Sequence, residues 1–203
     1  MSTIVELSEV RLSFPNITAP TSIEESGIKK YRADLIMPPT SPSFAKFMQT
    51  AYQVALDKWG AKAQPILGMI NGDRKLRCWG KGDERLDSKT FKPYVGYEGN
   101  VFVTGSNVEQ IQLYDAQGSK IPENNSMAYM AAARKLYGGC YVNAAVQVWA
   151  WDNVKGRGIS CTLVGIQFLR DGESFGEMRP DVSGMFKPIA GAPPLATLPD
   201  WMQ

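Results

Sequence analysis

The 203-residue chain contains no histidine. That absence removes the commonest general base, the commonest zinc ligand and the usual switch near neutral pH. Catalysis through histidine is excluded. No apolar run reaches the ~18 residues of a membrane-spanning helix, and the N-terminus lacks the basic stretch and apolar run of a signal peptide. The expectation is a soluble protein of an intracellular compartment with no membrane partner. Cysteine is scarce: Cys78, Cys140 and Cys161 are odd in number, widely spaced and form no CxxC pair. They read as buried free thiols rather than a disulfide, a redox motif or a zinc ribbon. An excess of one charge is missing too, since 22 basic against 20 acidic residues leave only +2, too little by itself to imply nucleic acid.

What is present is an ordinary globular composition, 44% hydrophobic and 10% aromatic, enough for one domain or two small ones. The charge is unevenly placed. Between Asp73 and Lys92 lie seven basic residues (Arg74, Lys75, Arg77, Lys81, Arg85, Lys89, Lys92) against four acidic, a net +3, so the remainder of the chain is net −1.

Val5 and Leu7, then Val10, Leu12 and Phe14, alternate with polar residues, with a slip of phase at Ser8 and Glu9 that predicts a bulged strand. Pro15 to Gly27 is polar and Pro-containing and reads as a loop; Tyr31 to Met37 reads as the second strand. Ser41 as N-cap and Pro42 at the first position open a helix whose stripe is Phe44, Met48, Ala51, Ala55 and Trp59, with Gly60 placed to stop it. Gln64 to Tyr97 is broken by glycines and prolines and reads as loop or irregular hairpin; a second helix is expected around Ser126 to Leu136. Cys140, Val142, Ala144, Val146 and Val148 form the core face of a long strand, joined by a Gly-rich turn at Asp152 to Gly158 to a strand over Ile159 to Leu169. Short strands without strand–helix alternation favour a β-barrel or sandwich. After Arg179 prolines accumulate, which divides the chain into a domain over 1–179 and a Pro-rich, flexible tail over 180–203.

Two features suit binding. The basic window is interleaved with Trp79, Phe91, Tyr94 and Tyr97; cations replace the counterions of phosphates and rings stack on unpaired bases. A solvated hairpin with ordinary surface charges would read the same way. The outer face of the 141–151 strand carries Tyr141, Asn143, Gln147, Trp149 and Trp151, a stacking platform or equally a surface covered by the helix or by another subunit. Enzyme signatures are absent: Gly80-Lys81-Gly82-Asp83-Glu84 lacks the ending of a phosphate loop, and Gly118-Ser119-Lys120 has Ser and Lys reversed. The acidic pairs Glu24-Glu25 and Asp83-Glu84 are the candidates for a metal-dependent nuclease, and they sit in polar loops. The expectation is no enzyme, no cofactor and no metal.

Tyr137-Gly138-Gly139-Cys140-Tyr141-Val142-Asn143-Ala144, with Trp149-Ala150, Lys155-Gly156-Arg157-Gly158-Ile159 and Leu163-Val164-Gly165-Ile166-Gln167, resembles the bacteriophage single-stranded DNA-binding proteins of the Enc34 type. Val10-Arg11-Leu12-Ser13-Phe14-Pro15-Asn16, Lys30-Tyr31, Met37-Pro38, Asn71-Gly72-Asp73 and Tyr97-Glu98-Gly99 follow the same order, so the resemblance spans most of 4–176. It implies a mainly β fold, an OB-fold five-stranded barrel with long loops and one or two helices. It also implies sequence-independent binding of single-stranded DNA in phage replication or recombination, in the host bacterial cytoplasm. Lys75, Arg77, Lys81, Arg85, Lys89 and Lys92 are then expected to neutralise phosphates, with Trp79, Tyr94, Tyr97, Tyr141 and Trp149 as stacking platforms. Partners consistent with it are phage or host replication and recombination proteins and a second copy of the chain. One departure stands out: the last 23 residues carry only Asp181 and Asp200 as acids, unlike the acidic tails of many single-strand binders. The alternative function is a structural or interaction component of the phage particle.

Overall fold

The computed structural model describes residues 2–22, 27–123, 126–154 and 156–176. The expected tail over 180–203 and the Glu24-Glu25 pair lie outside them. Strand β1 (Ser2–Thr21) pairs antiparallel with β2 (Lys30–Met37) on one side. On its other side it pairs with β6 (Tyr141–Asn153). Strand β4 (Val101–Asn107) joins β2 and carries the short β3 (Trp79–Lys81); β7 (Gly156–Arg170) joins β6 and carries β5 (Gln112–Tyr114) in parallel. The hydrogen-bonded order is β3-β4-β2-β1-β6-β7-β5.

Five of these strands curl round until β4 meets β7. A Cβ on Gly105 of β4 would fall 2.9 Å from Leu163 Cβ of β7, and Asn107 Nδ2 donates to Leu163 O at 3.1 Å. Only a glycine lets the two backbones approach so closely. At the other end the residues leading into β3 fill the gap. Thr104 N donates to Cys78 O at 2.7 Å, and Ile159 N donates to Leu76 O at 2.9 Å. The hydrogen-bonded sheet is thus open and has seven strands, two more than the five expected; β1, β2, β4, β7 and β6 curl into a barrel-like wall, extended by β3 and β5.

Two bulges shape β1. The register against β6 shifts between Leu7 and Val10, where Glu9 has φ +52°. The extra residue returns Val10 and Leu12 to the interior, so Val5, Leu7, Val10 and Leu12 are all buried. Ser43 locks this bulge to the first helix by accepting from Ser8 N and donating to Ser8 O. A second shift, between Ser13 and Asn16, coincides with φ +45° at Phe14. It corrects the expected alternation: Phe14 is turned out of the core and is 44% exposed. The strand then continues through Pro15 to Thr21, where a loop was expected, because ladder pairing with Arg32 and Lys30 holds it.

Helix α1 (Pro42–Trp59) is capped as expected: Ser41 Oγ accepts from Ser43 N, and Gly60 at φ +55° ends it. Its buried stripe is Phe47, Ala51, Val54 and Ala55. Helix α2 (Ala63–Gly72) replaces part of the loop expected from Gln64 onward. Pro65 lies in its first turn, where no backbone donor is required, and Ile66 and Ile70 bury one face. Helix α3 (Met127–Ala133) begins at the N-cap Ser126 within the expected span. Among the described residues three helices therefore accompany the sheet, one more than the sequence suggested, besides two short 3-10 turns at Gly60–Lys62 and Gly82–Glu84. No helix among the described residues is long and apolar enough to cross a membrane.

Tyr129 of α3 is fully buried and its hydroxyl donates to Ile111 O at 2.8 Å. Burial pushes its pKa up to about 12. Tyr129→Phe is expected to lower stability by about 1 kcal/mol at neutral pH. The folded state holds this proton more tightly, so stability is lost as pH rises from about 10 through about 12. Urea unfolding at pH 7 and pH 11 should show the variant losing less between the two than the parent.

Candidate nucleic-acid interface

Strand register lays a row of cations and rings across the outer face of the barrel. Arg170, Tyr141, Arg11, Ile36, Phe102 and Gly80 are successive Cα partners on β7, β6, β1, β2, β4 and β3. The Arg170 guanidinium lies 3.5 Å from the centre of the Tyr141 ring, and Arg11 lies 5.5 Å from Tyr141 and 4.2 Å from Phe175. Arg74 stands 4.7 Å over Phe102. Gly80 leaves room for that pair, since a Cβ there would fall 2.9 Å from the Phe102 ring and 3.2 Å from Arg74 Nε.

The next row, Ser13, Asp34 and Thr104, anchors the basic segment. Asp34 is 1% exposed and accepts from Tyr97 Oη at 2.7 Å and from Thr104 Oγ1 at 2.6 Å. Arg85 Nη2 lies 3.4 Å from the same carboxylate. Burial and the Asp34 carboxylate hold the Tyr97 hydroxyl protonated, far above the ordinary tyrosine range. Beyond Arg85 the chain forms a small hairpin: Tyr94 N donates to Arg85 O and Asp87 N to Lys92 O. Its Tyr94 ring meets Phe14 edge-on at 5.0 Å. Between the Phe14 bulge, this hairpin and Phe175 opens a cavity of about 750 Å³.

Beside it, at the β4–β7 closure, lies a groove of about 370 Å³ lined by Arg32, Arg74, Lys75, Arg77 and Arg85. Among the described residues two carboxylates answer these five cations, Asp34 beside Arg85 and Glu84 beside Arg77 at 3.3 Å. Burial, then the neighbouring Arg85 and Arg77, lower the Arg74 pKa. Arg77 Nε and Arg85 Nε are buried and have no hydrogen-bond partner among the described residues. Crowded guanidiniums with unused donors are stabilised by an oxyanion, and phosphate fits that chemistry.

The residues singled out from sequence separate into groups. Lys75, Arg77 and Arg85 line the groove, although Arg77 is mostly consumed by Trp79 O and Glu84. Lys92 and Tyr94 line the larger cavity. Lys81 and Lys89 are exposed, on β3 and on the hairpin. Tyr141 sits in the cross-strand row, and Trp149, 37% exposed, faces Ser160, which borders the groove. Trp79 and Tyr97 are placed otherwise. Trp79 is 5% exposed with its ring 6.0 Å from Phe47, and Tyr97 is fully buried. Neither presents a ring face to a base; both hold the basic segment against the barrel. The Asp83-Glu84 pair is likewise structural, since Asp83 accepts from Gly99 N and Glu84 pairs with Arg77. Arg11, Phe14, Arg32, Arg74 and Phe175 join the face without having been assigned from sequence. Arg74 alone carried a signal, its place in the basic window; the others are brought in by register and by the second bulge.

The family model for the single-stranded DNA-binding protein of Enterobacter phage Enc34 matches residues 3–187. This chain belongs to that Enc34 family. Protein p50 of Acyrthosiphon pisum secondary endosymbiont phage 1 is 32% identical over 173 residues, covering 84% of this chain and 85% of that one. The Enc34 single-stranded DNA-binding protein, solved in complex with single-stranded DNA, has a TM-score of 0.65 to this Enc34-family chain at 20% identity. That match covers 85% of this chain and 89% of the other. Gp2.5 of bacteriophage T7, a single-stranded DNA-binding protein, has a TM-score of 0.51 at 11% identity, covering 92% and 96% of the two chains. At such identities the structural likeness speaks for the fold, and the family assignment rests on the sequence match.

Proposed function

We propose that this Enc34-family chain binds single-stranded DNA without reading its sequence, in phage DNA replication or recombination within the host bacterial cytoplasm, and catalyses nothing. The observation that carries this reading is the five-cation groove whose Arg85 stands 5.8 Å over Phe14, a ring that lines the neighbouring cavity. Arg32, Lys75 and Arg85 neutralise phosphates in the groove, and Lys92, Lys89 and Lys81 extend the positive path; Arg77 shapes it. Phe14 and Tyr94 offer ring faces to bases, Tyr141 flanks them with its ring under the Arg170 guanidinium, and Trp149 stands at the far border. Residues 1–179 form the binding domain and 180–203 a separate Pro-rich tail.

Fluorescence anisotropy of a labelled oligothymidylate, a mixed-sequence strand and a matched duplex, each at several salt concentrations, tests the reading. Equal, salt-sensitive affinity for both strands and much weaker duplex binding are expected. No single-strand binding at low salt contradicts it. Phe14→Ala is expected to weaken single-strand binding by about 1 to 3 kcal/mol while leaving thermal unfolding nearly unchanged, because the ring is 44% exposed. Anisotropy and calorimetry together check both halves.

A further inference from the structure

The lining of the basic groove includes two cysteines that phosphate binding does not use. Cys78 and Cys161 both line it, and both are free thiols, Cys78 partly exposed and Cys161 buried. They lie on adjoining backbone segments: Arg77 and Ile159 are Cα partners in a parallel bridge, so the cysteines follow them by one and two residues. By this register Cys78 stands opposite Ser160 and Cys161 is its diagonal neighbour, and the two thiols are in hydrogen-bonding contact. Contact with Cys78, then burial, push the Cys161 thiol up. Cys140 is fully buried in the core and lies outside this groove.

We propose that Cys78 and Cys161 are a peroxide-oxidisable thiol pair built into the DNA groove, with Cys78 as the attacking sulfur and Cys161 as the resolving one. The assignment follows from access: only Cys78 is open to a small oxidant, and Cys161 waits against it. Cys78 as thiolate attacks one oxygen of hydrogen peroxide. An S–O bond forms as the O–O bond breaks, and the departing hydroxide takes up a proton to leave as water. Cys161 then attacks the sulfenic sulfur, the S–S bond forms as the S–O bond breaks, and its proton goes to the second departing hydroxide. One peroxide is reduced to two waters and two thiols are oxidised by two electrons.

The test treats the full chain with hydrogen peroxide under native conditions, alkylates the remaining thiols and maps the peptides by mass spectrometry. Loss of two of the three thiols is expected, with a Cys78–Cys161 linked peptide lighter by about 2 Da, the two hydrogens removed, and reversal by dithiothreitol. Cys140 should stay free. In Cys161→Ser the expected product is a Cys78 sulfenic acid trapped by dimedone, with no linked peptide. Cys78 carried to sulfinic acid while Cys161 remains free overturns the proposal, as does a protein whose three thiols all survive. Saturating oligothymidylate should slow the oxidation at least severalfold by covering Cys78. If the linkage forms at an unchanged rate, the thiol pair stands and the groove is contradicted as the DNA path.

Discussion

Trp79→Ala is expected to lower folding stability by about 3 to 5 kcal/mol, while the fraction that remains folded binds single-stranded DNA almost as the parent does. The ring is 5% exposed and packs against Phe47 in the core, so its removal opens a cavity there. Because β3 hydrogen-bonds β4 through residues 79–81, loss of the ring also loosens the segment that carries Arg74, Lys75 and Arg77. Urea unfolding gives the stability change, and anisotropy below the transition gives the affinity. A large affinity loss in a variant of parental stability would show that this tryptophan stacks on bases after all.

The double substitution Arg32→Gln and Lys75→Gln should have the reverse profile. Both side chains line the groove, and neither makes an ion pair among the described residues that would be broken. Removing two phosphate contacts should weaken binding to every sequence alike, by roughly tenfold for each contact worth about 1.4 kcal/mol. The slope of log affinity against log salt should fall by about 1.4, since a single strand releases about 0.7 counterion per contact. Unfolding should change by less than about 0.5 kcal/mol, as is usual for surface sites. An unchanged salt slope would place the DNA elsewhere on the barrel.

Much of the fold was legible from local pattern. The slip at Ser8 and Glu9, the cap at Ser41-Pro42 and the alternation from Cys140 to Val148 each specify an element through nearby residues. What was not legible depends on distant partners. Helix α2 hides behind Pro65, Gly68 and Gly72, and only the burial of Ile66 and Ile70 makes it a helix. Phe14 continued the apolar alternation, yet pairing of Ser13 with Asp34 and Asn16 with Arg32 leaves one residue over and turns the ring outward.

The binding face divides in the same way. The basic window was visible as composition, and closure of the barrel by residues 76–78 does bring Arg74, Lys75 and Arg77 together with Arg85. Which aromatic residues stay open was not visible, because Trp79 and Tyr97 are apolar or polar according to what covers them. Tyr97 is buried by its bond to Asp34, a residue 63 positions away. Arg11 and Arg32 enter from strands that alternation alone could not align with the window.

The most direct measurement is photo-crosslinking of an oligothymidylate carrying 5-iodouracil at successive positions, followed by peptide mapping. The bound strand should attach to Phe14, Tyr94 and Tyr141 and be displaced by unlabelled single strand. Attachment confined to α1, α2 or the outer face of β5 would contradict the placement of the strand on the groove and the cross-strand row.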